Sequence, residues 1–170
     1  MAEILILALS WALVPIGLLR YQVRGHRSFL GVNALVGALV AVTYFHEGGL
    51  AGAAISMAAT SALALQFAIG HKIGLASRLV LAVPFIALGL IFKEAGIAAW
   101  LPFTAFAIAR AAETLQRDLA LRVILLGCTS LWIIYGFALG LPQIVLFEAM
   151  GLASNAFGIW RFHFRKGHSA

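Results

Sequence analysis

Residues 146–167 read LFEAMGLASNAFGIWRFHFRKG. The stretch is apolar enough to lie in lipid, yet it holds Glu148 and Asn155 and ends among arginine, lysine and histidine. At 3.6 residues per turn, Glu148, Gly151, Asn155 and Gly158 share one small, polar helical face, while Leu146, Phe147, Phe157 and Ile159 extend elsewhere. A carboxylate turned to lipid at mid-bilayer costs about 2.5–3.5 kcal/mol on insertion scales. The stripe is therefore expected to face a bundle interior or a wet cavity, with Glu148 roughly 10 Å in from Pro142 by helical rise. Such a helix needs partner helices, and the rest of the chain supplies them.

The chain has 170 residues, 63% hydrophobic and 11% charged, with a mean hydropathy of +1.02. Average charged usage is about 25%, so these charges are too few to cover a soluble globule. The composition is that of an integral membrane protein. The formal charge of +6 does not point to nucleic acid, because the bases recur in short clusters between apolar runs. The single cysteine, Cys128, excludes an intrachain disulfide and a multi-cysteine metal site. The N-terminal MAEILILALSWALVPIGLL lacks a basic leader region and is read as a retained helix.

Charge and glycine clusters divide the chain into seven apolar runs, at about 3–19, 29–45, 50–70, 79–92, 96–109, 119–140 and 142–162. The fourth and fifth are shorter than the usual minimum of about 17 residues, so they are read as tilted spans or a re-entrant pair. RYQVRGHRS, HKIGLASR, RAAETLQRD and RFHFRKGHS fall on one side; of the 12 lysines and arginines only Lys93 falls on the other. Positive charges mark the cytoplasmic face, which places the N-terminus outside and the C-terminus inside.

An internal repeat organises the runs. Arg20, Arg27 and Gly37 recur as Arg110, Arg117 and Gly127, and a proline, Pro15 or Pro102, precedes each basic connection. The expected architecture is one all-α transmembrane domain over 1–170. It comprises repeat 1 at about 3–70, a linker helix at about 79–92 and repeat 2 at about 96–163. Equivalent helices four spans apart give the repeats parallel orientation. Pro15 and Pro102 are candidate hinges, although proline is also an ordinary guest in membrane helices.

Other spans hold weaker polar faces. Gly49, Gly52, Ser56 and Thr60 share one, as do Asn33, Gly37, Ala41 and Tyr44. Small residues usually mean close helix packing, and hydroxyls can bond within their own helix. Trp132 and Tyr135 neighbour Cys128 on the sixth span, where Trp132 can stack on a ligand or fill the core. Trp100 and Trp160 sit near span ends as interfacial anchors. Glu148 differs, since an intramembrane acid marks a functional site by default. Histidines 26, 46, 71, 163 and 168 form no ligand pair such as HExxH, and neither a nucleophile elbow nor a P-loop is present. No enzyme site, metal or cofactor is expected.

From Arg122 onward, Trp132, Phe137, Gly140, Glu148, Asn155 and the pair Arg161-Phe162 before the basic tail resemble the YgjV-type bacterial inner-membrane family. That family is similar in layout to the SWEET and PQ-loop transporters, in which two three-helix bundles flank a linker helix. The resemblance implies a central cavity with asparagines from the third and seventh helices. Asn155 matches the seventh-helix position, whereas the third holds Met57 with Thr60 and Ser61 nearby. Ile16 follows Pro15 and Phe103 follows Pro102, so neither helix has the Pro-Gln pair; Pro142-Gln143 lies in another helix.

The sequence thus predicts a multi-pass protein of the bacterial inner membrane that moves an unknown small solute by alternating access. Glu148, Asn155, Trp132, Tyr135, Thr60, Ser56 and Asn33 are its candidate site. The rival expectation is a non-transporting inner-membrane protein whose polar faces pack helices or dock a partner. The bilayer is the expected partner, and self-association stays open.

Overall fold

A computed structural model describes residues 2–19, 26–69, 75–112 and 118–164. These form α1 (Ala2–Leu19), α2 (His26–His46), α3 (Leu50–Ile69), α4 (Leu75–Phe92), α5 (Leu101–Ala112), α6 (Asp118–Ala138) and α7 (Pro142–Ile159). A 3₁₀ turn over Ile97–Trp100 leads into α5, and a π turn over Trp160–Phe164 ends α7. The described residues contain no strand. The expected runs and these helices agree, and the doubtful fourth and fifth runs are separate helices. Arg20, Arg24, Lys72, Arg117, Arg165 and Lys166, which carry much of the charge pattern, lie outside the described residues.

Two hairpins close identically. Gly48 (φ 79°) and Gly140 (φ 68°) occupy the left-handed position just past α2 and α6. Behind the first glycine, Gly49 N–H donates to the Tyr44 carbonyl (2.8 Å) and Gly48 N–H to that of Phe45. Behind the second, Leu141 N–H donates to Gly136 (2.9 Å) and Gly140 N–H to Phe137 (3.0 Å). This Schellman arrangement satisfies the last helical carbonyls within the turn itself, which matters where water is scarce.

Polarity is inverted relative to a water-soluble globule. Large apolar side chains point outward along the helices, among them Leu35, Phe45, Val80, Ile91 and Phe137, while Asn33, Arg110, Gln143, Glu148 and Asn155 are buried. Apolar exposure on this scale suits a lipid environment, not water. Two helices, α3 from Leu50 and α6 from Leu119, are long and apolar enough to cross a membrane.

One buried cluster joins Leu13, Val40, Tyr44, Tyr135, Ile144 and Phe147, and a second joins Ile55, Ala58, Ala82 and Phe106. Trp132 packs against both. Helix α2 packs on α3, α5 on α6, α6 on α7, and α1 chiefly on α7, whereas α4 rests on α3 at the periphery. The α1–α7 seam is narrow: a Cβ on Gly17 would lie 2.6 Å from the Phe147 carbonyl oxygen. The Ser154 hydroxyl donates to the Leu18 carbonyl (2.8 Å) across the same seam. With α1 on one side and α6 on the other, Phe147 and Ile159 are buried along with the polar stripe of α7.

Candidate functional site

The polar faces of α2, α3, α6 and α7 converge with α5 on a cavity of about 130 Å³. Glu148, Trp132, Asn33, Ser56 and Thr60 all line it. Glu148 is only 5% exposed, so its carboxylate belongs to the interior, as the cost of turning it to lipid requires. Helices α2 and α3 approach closely at Gly37, where an added Cβ would run into Thr60 Oγ1. That hydroxyl is buried and has no hydrogen-bond partner among the described residues.

Three further polar residues complete the wall: Arg110, Cys128 and Thr129. Arg110 was read from sequence as part of a basic connection. It instead occupies the last turn of α5, 8% exposed, with its guanidinium 5.3 Å from the centre of the Phe106 ring. Phe106 lies four residues earlier, so both side chains share the inward face of α5. That i, i+4 aromatic–arginine spacing is the sequence signal that could have placed Arg110 inside. The cavity wall therefore combines one carboxylate and one guanidinium with neutral polar and apolar side chains.

Tyr135 and Asn155 do not line this space. Asn155 is buried on the same stripe of α7 but lies seven residues beyond Glu148, about 10 Å farther along the axis. There its Nδ2 donates to the Arg122 carbonyl (3.0 Å), tying α7 to the start of α6, while its Oδ1 has no partner among the described residues.

Tyr135 belongs to a different cluster, at the end of the bundle that carries the short hairpin turns. Its hydroxyl donates to Glu94 Oε1 (3.0 Å) and accepts from the Gly52 N–H (3.1 Å). The Ala51 N–H donates to the same carboxylate oxygen (3.1 Å). Glu94 thus sits over the N-terminus of α3, where unpaired N–H groups and the helix dipole favour an anion. Sequence reasoning gave Glu94 no role; its partners lie about 40 residues away in the chain, so no local pattern reveals them.

The candidate hinges differ in setting. Pro15 is exposed inside α1, and Pro102 is buried at the second residue of α5, where a missing N–H costs no interior hydrogen bond. Among the described residues no group of three histidine, cysteine or acidic side chains could hold a metal ion.

The model of a family described as Imp-YgjV, bacterial inner membrane protein, matches residues 4–166. No curated protein and no solved structure matches the chain.

Proposed function

The chain belongs to the Imp-YgjV family of bacterial inner membrane proteins, and from that premise we propose that it carries a small solute across this membrane by alternating access. One observation carries the reading: five helices surround a cavity of about 130 Å³ whose wall holds Glu148, Arg110, Asn33, Ser56 and Thr60. A bundle selected only for packing would fill such a space with apolar side chains, whereas ionisable groups inside membrane helices gather round solute and ion pathways.

In this reading all seven helices cross the bilayer, with the N-terminus outside and the C-terminus in the cytoplasm, as the charge asymmetry favours. Helices α1–α3 and α5–α7 act as parallel repeats joined by the peripheral α4, in the manner of the SWEET and PQ-loop layout. Two features support it. The contacts between the halves, α1 on α7 and α3 on α5, exchange with one another when α1 is mapped to α5 and α3 to α7. The Schellman turns at Gly48 and Gly140 stand at corresponding hairpins. The reading gives the cavity binding and release, and no bond-making step.

Cys128 supplies the test, being the only cysteine in the chain and part of the cavity wall. A small, charged, membrane-impermeant methanethiosulfonate should modify it from the cytoplasmic face in inverted vesicles. A Cys128 that reacts from neither face in the folded protein, yet reacts after denaturation, would mean a sealed bundle and end the transport reading.

A further inference from the structure

We propose that Glu94 and Tyr135 latch an aromatic layer shut across the outer end of the cavity, and that releasing the latch opens the site to the outside. This gate rests on the reading of the cavity as a solute site in the orientation given above.

The layer lies directly beyond the cavity. On the short-turn side the cavity wall reaches Val40 on α2, Ile55 on α3 and Trp132 on α6. Tyr44, Gly52 and Tyr135 stand three or four residues farther on, one helical turn or about 5 Å nearer the short turns. Neither tyrosine lines the cavity, and both are fully buried. The Tyr44 ring packs 5.7 Å from Trp132 and 5.3 Å from Tyr135, and Trp132 lies 6.1 Å from Tyr135. Leu141 and Ile144 belong to the same buried cluster and close it on the side of α7. A solute leaving the cavity toward the short turns has to part these rings.

The hydrogen bonds that hold the layer join separate parts of the chain. Tyr44 and Gly52 belong to α1–α3, Tyr135 to α5–α7, and Glu94 to the segment that follows α4. The Gly52 N–H donates to the Tyr135 hydroxyl (3.1 Å), which donates in turn to Glu94 Oε1 (3.0 Å). The Ala51 N–H donates to that same oxygen (3.1 Å). One carboxylate oxygen thus receives a donor from each half of the bundle, and a carboxylate is the stronger kind of acceptor. The halves cannot separate at this end without losing two of the three bonds. The neighbouring Lys93 ammonium lies 5.0 Å from the centre of the Trp100 ring, which pins the segment that carries Glu94.

The closed layer leaves two polar atoms unsatisfied. The Tyr44 hydroxyl, a donor, and Glu94 Oε2, an acceptor, are buried without hydrogen-bond partners among the described residues. Parting the rings admits water to both, which offsets part of what the three bonds lose. That balance brings the closed and open arrangements within reach of each other, as a gate requires.

Cys128, the only cysteine, lines the cavity beneath the layer and reports on it. The full chain is reacted with a small membrane-impermeant methanethiosulfonate in right-side-out and in inverted vesicles. The wild type should react from the cytoplasmic face and at least tenfold more slowly from outside. Glu94→Ala should raise the outer-face rate at least tenfold and lower the cytoplasmic-face rate, because the two arrangements share one population. Tyr135→Phe keeps the ring and loses both bonds. It should shift both rates in the same directions, the outer one at least threefold, and it carries the test alone if Glu94→Ala does not fold. Rates that rise together from both faces mean a loosened bundle and overturn the gate. An outer-face rate within twofold of wild type in the variants overturns it too; if Cys128 is still reached from the cytoplasm, the transport reading then stands without it. A wild-type Cys128 closed to both faces ends the transport reading, and the gate survives only if Glu94→Ala exposes the cysteine from outside.

Discussion

The short-turn end of α6 and its middle show what the same kind of residue does in two settings. At the short-turn end, Tyr135 meets Glu94 and the first N–H groups of α3, and three hydrogen bonds of 3.0–3.1 Å converge on two side chains. About two turns earlier, Cys128 and Thr129 face an open space shared with Glu148, Arg110 and Thr60. Both regions put polar groups into an apolar bundle. In the first they close on one another and fix three elements together; in the second they line a cavity. Small residues enforce the first arrangement: a Cβ on Gly52 would lie 2.6 Å from Tyr135 Cε1 and 2.9 Å from Tyr44 Cγ. Glu94 Oε2 and the Tyr44 hydroxyl remain buried there without hydrogen-bond partners among the described residues. The knot is therefore tight and also costly.

Substitutions at the two places should separate them by size of effect. Gly52→Val is expected to be the most damaging, because both rings against α3 are already buried and packed. Overpacking of this kind costs about 1–3 kcal/mol or more, visible as lost folded protein or a lower Tm in detergent. Glu94→Ala should follow at about 2–3 kcal/mol, since it strands the Tyr135 hydroxyl and the Ala51 N–H together; full thermal stability in this variant would dissolve the knot as a structural unit. Tyr135→Phe removes the donor to Glu94 and the acceptor of the Gly52 N–H while leaving the ring, and about 1–1.5 kcal/mol is expected. Thr60→Val should be the mildest, within about 0.5 kcal/mol, because its hydroxyl has no partner to lose. If Thr60→Val destabilised the protein as much as Tyr135→Phe, the distinction between the knot and the void would collapse.

Much of this was legible beforehand. The helix boundaries follow from where charges and glycines interrupt the apolar runs, because lipid tolerates neither open backbone nor bare charge. The inward direction of Glu148 follows from the same penalty. Residues governed by distant partners were not legible. Arg110 counts as a topological charge until the phase of α5 brings it under Phe106. Glu94 gains meaning only through Tyr135, which lies 41 residues on. Asn155 shares a stripe with Glu148, as helical periodicity requires, but periodicity gives direction and not depth. Its greater depth along α7 takes it past the cavity to the Arg122 carbonyl.

The seam between α1 and α7 has a bearing on time. Helix α1 packs more extensively on α7 than on α2, and the Ser154 hydroxyl that bonds to Leu18 is 136 residues downstream. At roughly 5–20 residues per second, a ribosome needs roughly 7–27 s to make the intervening chain. Throughout that interval α1 is without the helix that receives it, and the backbone notch at Gly17 stays unfilled. The first helix made is thus among the last to find its place, and a nascent chain stalled before α7 would offer that notch to other proteins.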